Sequence, residues 1–287
     1  MRFNIVDHIR NGSTTDNSKS NDDWIGFEDR VAIVADGATG LAENRLMSVC
    51  DSDAQWVAKL GVDRFLNARA DDSVRDLVRE INSQALALIG ESHAVDDLPR
   101  YAWPTSGFIM ARLQSGLIEI SGLGDCSAIV EMTDGYIERF SALPFNKSTE
   151  TRSAKNDRAK ASGSGEAIRS PEVISSLRQK RNLSNTIDSG VWTLGLVPEA
   201  SDHVLTAALP LSEIQAILLM SDGFSAACDS YELYDEAGLL GAAKEHGLAQ
   251  VIAEIRRVER LIDPDAVKFP RYKQCDDSSA ILLEIAN

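Results

Sequence analysis

The chain has 287 residues, 44% hydrophobic and 25% charged, enough to bury a sizeable core. Its formal net charge of -15 is the opposite of a nucleic-acid binder's basic footprint and opposes stable contact with an anionic membrane. Cys50, Cys126, Cys228 and Cys275 are scattered with no CxxC pair, which fits reduced thiols in a cytoplasmic protein better than a disulfide framework or a zinc site.

The start, Met1 to His8, has no apolar h-region and does not read as a secretory signal. The longest apolar runs, such as Ala216 to Met220, are too short to span a bilayer. Residues 11 to 23 are polar and loop-like. Val31 to Ala35 then form an apolar run that reads as a buried strand and ends abruptly at Asp36-Gly37-Ala38-Thr39-Gly40. A helix is predicted over 52–69, with Trp56, Val57, Leu60, Phe65 and Leu66 on one side. A second opens on a capping box, Ser73 with Asp76, and carries a core-facing stripe from Val74 to Ile89.

The period then changes. Thr105 to Leu113, Leu117 to Leu123, Ser127 to Met132 and Tyr136 to Phe140 read as successive strands of one antiparallel sheet, with the first helices on one face. Residues 146 to 190 are rich in Ser, Lys, Arg and Asn and read as a long basic flap with one short helix. Strands resume at 190–194, 203–209 and 215–220, helices follow at 232–246 and 248–262, and a last strand is expected over 279–285. This order favours a layered sandwich over a doubly wound parallel sheet. One domain over 1–287, with the flap inserted at about 146–190, is the expected organisation.

Acidic residues recur at predicted strand ends. Asn21-Asp22-Asp23, Asp36-Gly37, Gly124-Asp125-Cys126-Ser127, Ser221-Asp222-Gly223 and Cys275-Asp276-Asp277-Ser278-Ser279 all lie there or in the joining loops. A carboxylate is costly to bury unpaired, and hard divalent cations such as Mg²⁺ and Mn²⁺ take oxygen ligands. Asp134-Gly135 lies between two strand-like runs and is read as a plain hairpin turn.

In order and spacing these motifs resemble the PPM family, the metal-dependent protein serine/threonine phosphatases of the protein phosphatase 2C type. Thr105-Ser106-Gly107 adds to the set, and the resemblance covers nearly the whole chain. It implies an α+β fold, a four-layer α-β-β-α sandwich of two antiparallel sheets flanked by helices. It implies two bound ions, Mg²⁺ or Mn²⁺, with a weaker third site. Asp36 would bridge the two, the Gly37 carbonyl would help hold one, Asp222 and Asp276 would complete the first, and Asp22 would serve the second. Asp125 with Asp222 would match the third. The implied activity is hydrolysis of phosphoserine or phosphothreonine in proteins by a water activated between the metals.

The chain also departs from the family's pattern. Asp22 stands where the family has glutamate, and Ser18 where it has a phosphate-binding arginine. Lys19, one step away, takes that role in this reading as a point charge without the guanidinium fork. Ala38 and Ser127 stand where other members carry histidine and arginine. The basic flap, with Lys147, Arg152, Lys155, Arg158, Lys160, Arg169, Arg178, Lys180 and Arg181, is a candidate lid or docking surface for a partner. A cytoplasmic monomer acting on phosphoproteins is expected, and a weakly active or inactive regulatory or binding module of the same fold is the alternative.

Overall fold

Alternation along the strands sets the layers. In β3 (Val31–Gly37), Ala32 and Val34 point to one side and Ile33 and Ala35 to the other. In β9 (Ile214–Met220), Ile217 and Leu219 part in the same way from Leu218 and Met220. A strand buried on both faces needs a cover on each, and the computed structural model supplies both covers. It describes residues 2–14, 21–143, 152–156, 170–188 and 190–286.

There are two antiparallel sheets of five strands. The first joins β2 (Trp24–Glu28), β3, β4 (Ser106–Gln114), β5 (Leu117–Leu123) and β8 (Leu205–Pro210) in that order. The second joins β1 (Arg2–Asn11), β10 (Ser278–Ala286), β9, β6 (Ser127–Met132) and β7 (Ile137–Ser141). Ala32, Val34, Ile109 and Ile120 of the first sheet meet Ala128, Ile217, Leu219 and Ile281 of the second in a central apolar layer. The outer face of the first sheet is covered by α1 (Asp53–Leu66) and α2 (Val74–Gly90), through Trp56, Val57, Val62, Phe65, Val78 and Ile81. The outer face of the second is covered by α4 (Asp222–Asp229), α5 (Glu236–His246) and α6 (Leu248–Arg257), through Phe224, Leu239, Val251 and Ile255. The fold is α+β with the expected helix–sheet–sheet–helix layering.

Several local expectations change. The strands from 105 to 140 do not share one sheet. β5 and β6 belong to different sheets, and the chain crosses between them at Gly124-Asp125-Cys126. Ser73 makes no side-chain cap bond on α2. α1 does have a side-chain cap, where Ser52 Oγ accepts the Gln55 N–H at 2.9 Å. Residues 190–194 form only an isolated bridge, Ser106 to Leu194, and α5 begins four residues later than predicted, at Glu236 behind its N-cap Asp235. β1, β2 and α4 are additional elements. Two of them, β1 and β2, flank the loop that carries Asp22.

Within the flap, α3 (Pro171–Asn182) packs back on the body. Arg178 Nε donates to the Leu41 carbonyl at 2.9 Å, and Lys180 Nζ to Tyr272 Oη at 3.0 Å. Lys19, Lys147, Arg158, Lys160 and Arg169 lie outside the described residues.

Candidate metal centre

The central layer ends in charge instead of carbon. Asp36 continues the Ala32–Val34 side of β3 and lies opposite Gly107 of β4. Asp125 stands in the crossover between sheets, and an added Cβ on Gly107 would lie 3.2 Å from its Oδ1. Asp222 opens α4 directly after β9, in the first helical turn, where a carboxylate complements the helix dipole. Asp276 and Asp277 precede β10. The two sheets thus bring residues nearly the whole chain apart to one end of the sandwich.

Two glycines permit the approach. A Cβ at Gly37 would sit 2.4 Å from the Asp22 carbonyl oxygen, and one at Gly223 would sit 1.9 Å from that of Asp277. No side chain fits at either place, so the Asp-Gly pairs are here a condition of convergence.

Polar contacts fix the carboxylates. Asp277 accepts the Ser13 N–H at 2.8 Å through Oδ1 and the Asp22 N–H at 2.9 Å through Oδ2. Asp22 Oδ1 in turn accepts the Ser52 hydroxyl, which ties the Asp22 loop to the cap of α1. Arg10 of β1 donates to the carbonyls of Asp23 at 2.6 Å and Asn21 at 2.7 Å, with its guanidinium 4.3 Å over the Trp24 ring. Buried Arg256 of α6 pairs with Glu259 at 2.6 Å and donates to the Asp276 carbonyl at 2.7 Å. Lys273 Nζ lies 2.6 Å from Asp276 Oδ1. Burial alone would lower the Lys273 pKa, but Asp276, Asp277 and Asp222 hold it above its ordinary value.

The electrostatics are those of crowded like charges. Burial, then Asp23 and Asp125, push the Asp36 pKa well above the usual carboxylate range. Burial, then Asp36, Asp276 and Asp125, do the same to Asp222, which lies close enough to Asp36 to share a proton. Asp23, 1% exposed, is raised by burial and by Asp277, and its buried Oδ2 has no hydrogen-bond partner among the described residues. Solvent reaches Asp125 and Asp222 from the open side, yet the protein around them still disfavours their charged forms. These carboxylates do not neutralise one another.

Such a donor set fits a hard divalent cation. Ligand atoms of Asp36, Asp125 and Cys126 lie within 4.8 Å of one another. Burial, reinforced by Asp36 and Asp125, keeps the Cys126 thiol protonated, so the set offers oxygen and not thiolate. The orphaned Asp23 oxygen and the raised carboxylate pKa values are what a site built for added positive charge shows in its absence.

The structure brings Asp36, Asp125, Asp222 and Asp276 together, with Asp23 inside the group and Asp22 on the wall of the adjoining cleft. That cleft, about 530 Å³, is also lined by Ala38, Arg178, Arg181, Lys273 and Asp277. Sequence reasoning missed Ser52, Arg10, Arg256, Lys273 and the support given by Asp277. Only the last adjoined a motif. The others come from elements whose approach to the site no local pattern announces.

No protein-family model matches the sequence, and none of the curated proteins matches it. Solved structures do match, over nearly the whole chain. Serine/threonine phosphatase Stp1 from Staphylococcus aureus superposes with a TM-score of 0.56 at 14% identity, covering 99% of this chain and 96% of that one. The Mycobacterium tuberculosis serine/threonine phosphatase PstP/Ppp gives a TM-score of 0.54 at 12% identity over 100% of both chains. The catalytic domain of PstP, solved in complex with 2 manganese ions, gives 0.52 at 14% identity, covering 100% of this chain and 98% of that one. The chain therefore has the fold of the bacterial PPM-type serine/threonine phosphatases.

Proposed function

We propose that the protein is a Mg²⁺- or Mn²⁺-dependent phosphatase acting on phosphoserine or phosphothreonine in proteins. The observation that carries this reading is the convergence of Asp36, Asp125, Asp222 and Asp276 at one end of the central layer, where burial and mutual repulsion raise the pKa values of Asp36, Asp125 and Asp222. A fold shared with phosphatases, one of them solved with manganese, supports it.

In this reading Asp36 is the shared ligand, because it lies between the carboxylates of the second sheet and the loops of the first. Asp222 and Asp276 hold one ion with it. Asp22 and the Gly37 carbonyl hold the other, and Asp125 serves a weaker third position. Bound there, divalent ions supply an acidified water for in-line attack on phosphorus and offset the phosphate charge. Ser52, Asp277, Arg10 and Arg256 keep the carboxylates in place. The cleft beside them admits the phosphorylated side chain from the flap side.

The test is hydrolysis of p-nitrophenyl phosphate and a phosphothreonine peptide with Mn²⁺, beside Asp36→Asn. Manganese-dependent turnover at least about a hundredfold above the variant is expected. Equal turnover by the two proteins removes the enzyme reading. One observation favours a second reading, a phosphatase-like regulatory or binding module: Lys273 already occupies Asp276 as an ion pair. Manganese binding without turnover marks that module.

A further inference from the structure

We propose, resting on the phosphatase reading above, that Arg181 holds the substrate's phosphate. A phosphomonoester dianion entering a cleft walled by Asp22 and Asp277 needs a fixed cation whose donors match its oxygens. Ser18, which stands in the sequence where the resembled family has an arginine, lies outside the described residues.

Five cations of the described residues stand near the cleft, and four have other duties. Arg45 donates to the Cys50 and Asp51 carbonyls at 2.9 and 3.1 Å. Arg10 lies behind the Asn21–Asp23 loop, spent on two carbonyls at 2.7 and 2.6 Å. Lys273 is paired with Asp276. Arg178 donates to the Leu41 carbonyl and lies 4.7 Å over the Tyr101 ring, which pins α3 to the body. Arg181 is one turn further on the same face of α3. Its Nη1 donates at 3.2 Å to Thr105 Oγ1, and the Thr105 carbonyl accepts the Ala38 N–H at 3.0 Å. The guanidinium is thereby anchored on the corner that carries Asp36. Its charge neighbours are Asp125 and Asp36, the carboxylates that metal ions would engage. Once those are engaged, the half-buried guanidinium faces the anion that the cleft admits.

The experiment uses the full chain loaded with Mn²⁺, as wild type, Arg181→Ala and Arg181→Lys. Calorimetry measures Mn²⁺ affinity first, then the affinity of inorganic phosphate for the loaded protein. KM for p-nitrophenyl phosphate is measured in parallel. The expected result is Mn²⁺ affinity within about twofold of wild type in both variants. Phosphate binding should weaken about tenfold or more in Arg181→Ala, with Arg181→Lys intermediate because a point charge replaces a fork. Phosphate affinity equal to wild type in Arg181→Ala overturns the assignment, as does no measurable phosphate binding by the wild type. Should Arg181→Ala fail to fold, Arg181→Lys carries the test, and wild-type phosphate affinity in it overturns the assignment. Phosphate held through Arg181 without turnover would sink the phosphatase reading and leave the arginine's role standing. Turnover indifferent to Arg181 would do the reverse.

Discussion

Asp36 would be an expensive residue if it were only structural. It ends an apolar strand, sits among Asp23, Asp125, Asp222 and Asp276, and receives no compensating cation as close as the one Lys273 gives Asp276. Its pKa, and that of Asp222, is raised in the folded protein above the value of the unfolded chain. The unfolded chain therefore binds fewer protons between the ordinary carboxylate pKa and the raised one. The sign follows: stability from these groups is greatest in acid and is lost as pH rises through that window. Without metal, the melting temperature should fall from pH 5 to pH 8, Mn²⁺ should restore more of it at the higher pH, and Asp222→Asn should flatten the metal-free profile. Thermal denaturation with and without chelator checks this. A metal-free protein of wild type that gains stability across the window contradicts the crowding described for these groups.

At the scale of elements, the site depends on ends and not on middles. α1 begins where Ser52 caps the Gln55 N–H and holds Asp22 with the same hydroxyl. Ser52→Ala should therefore cost about 0.5–2 kcal/mol of stability, as a lost helix cap does. It should also weaken Mn²⁺ binding, whereas a cap on a helix remote from the site would affect stability alone. Denaturant unfolding and calorimetry separate the two effects.

The strongly patterned elements were legible from the sequence. β3, α2, β5, β6, β9 and α6 each show a clear period or an uninterrupted apolar run, and the Asp-Gly corners at Asp36 and Asp222 mark their ends. Their layering followed from element order. β1 was not legible, because its burial alternates with exposed polar residues and it finds its partner, β10, only at the far end of the chain. The change of sheet at Asp125 was not legible, and the strands on either side of it read as one sheet, since a hairpin loop and a crossover look alike over three residues. Arg181, Lys273 and Arg256 carry no local signal, because only the packed fold brings these cations to the carboxylates.

The molecule as a whole is a covered sandwich with one unfinished end. Three apolar layers close it elsewhere: helices on the first sheet, sheet on sheet, and helices on the second. Among the described residues, no helix is long and apolar enough to cross a membrane. The net charge of -15 draws cations toward the protein, and the proposed destination is the Asp36 end of the central layer.

The central claim is that this end of the sandwich is a divalent-metal centre organised by Asp36. Isothermal titration of the chelator-treated protein with Mn²⁺, beside Asp36→Asn, tests it most directly. Saturable binding of about two ions, with proton release and with loss of at least one ion in the variant, is the predicted result. No binding by the wild type, or the same isotherm for both proteins, would contradict it.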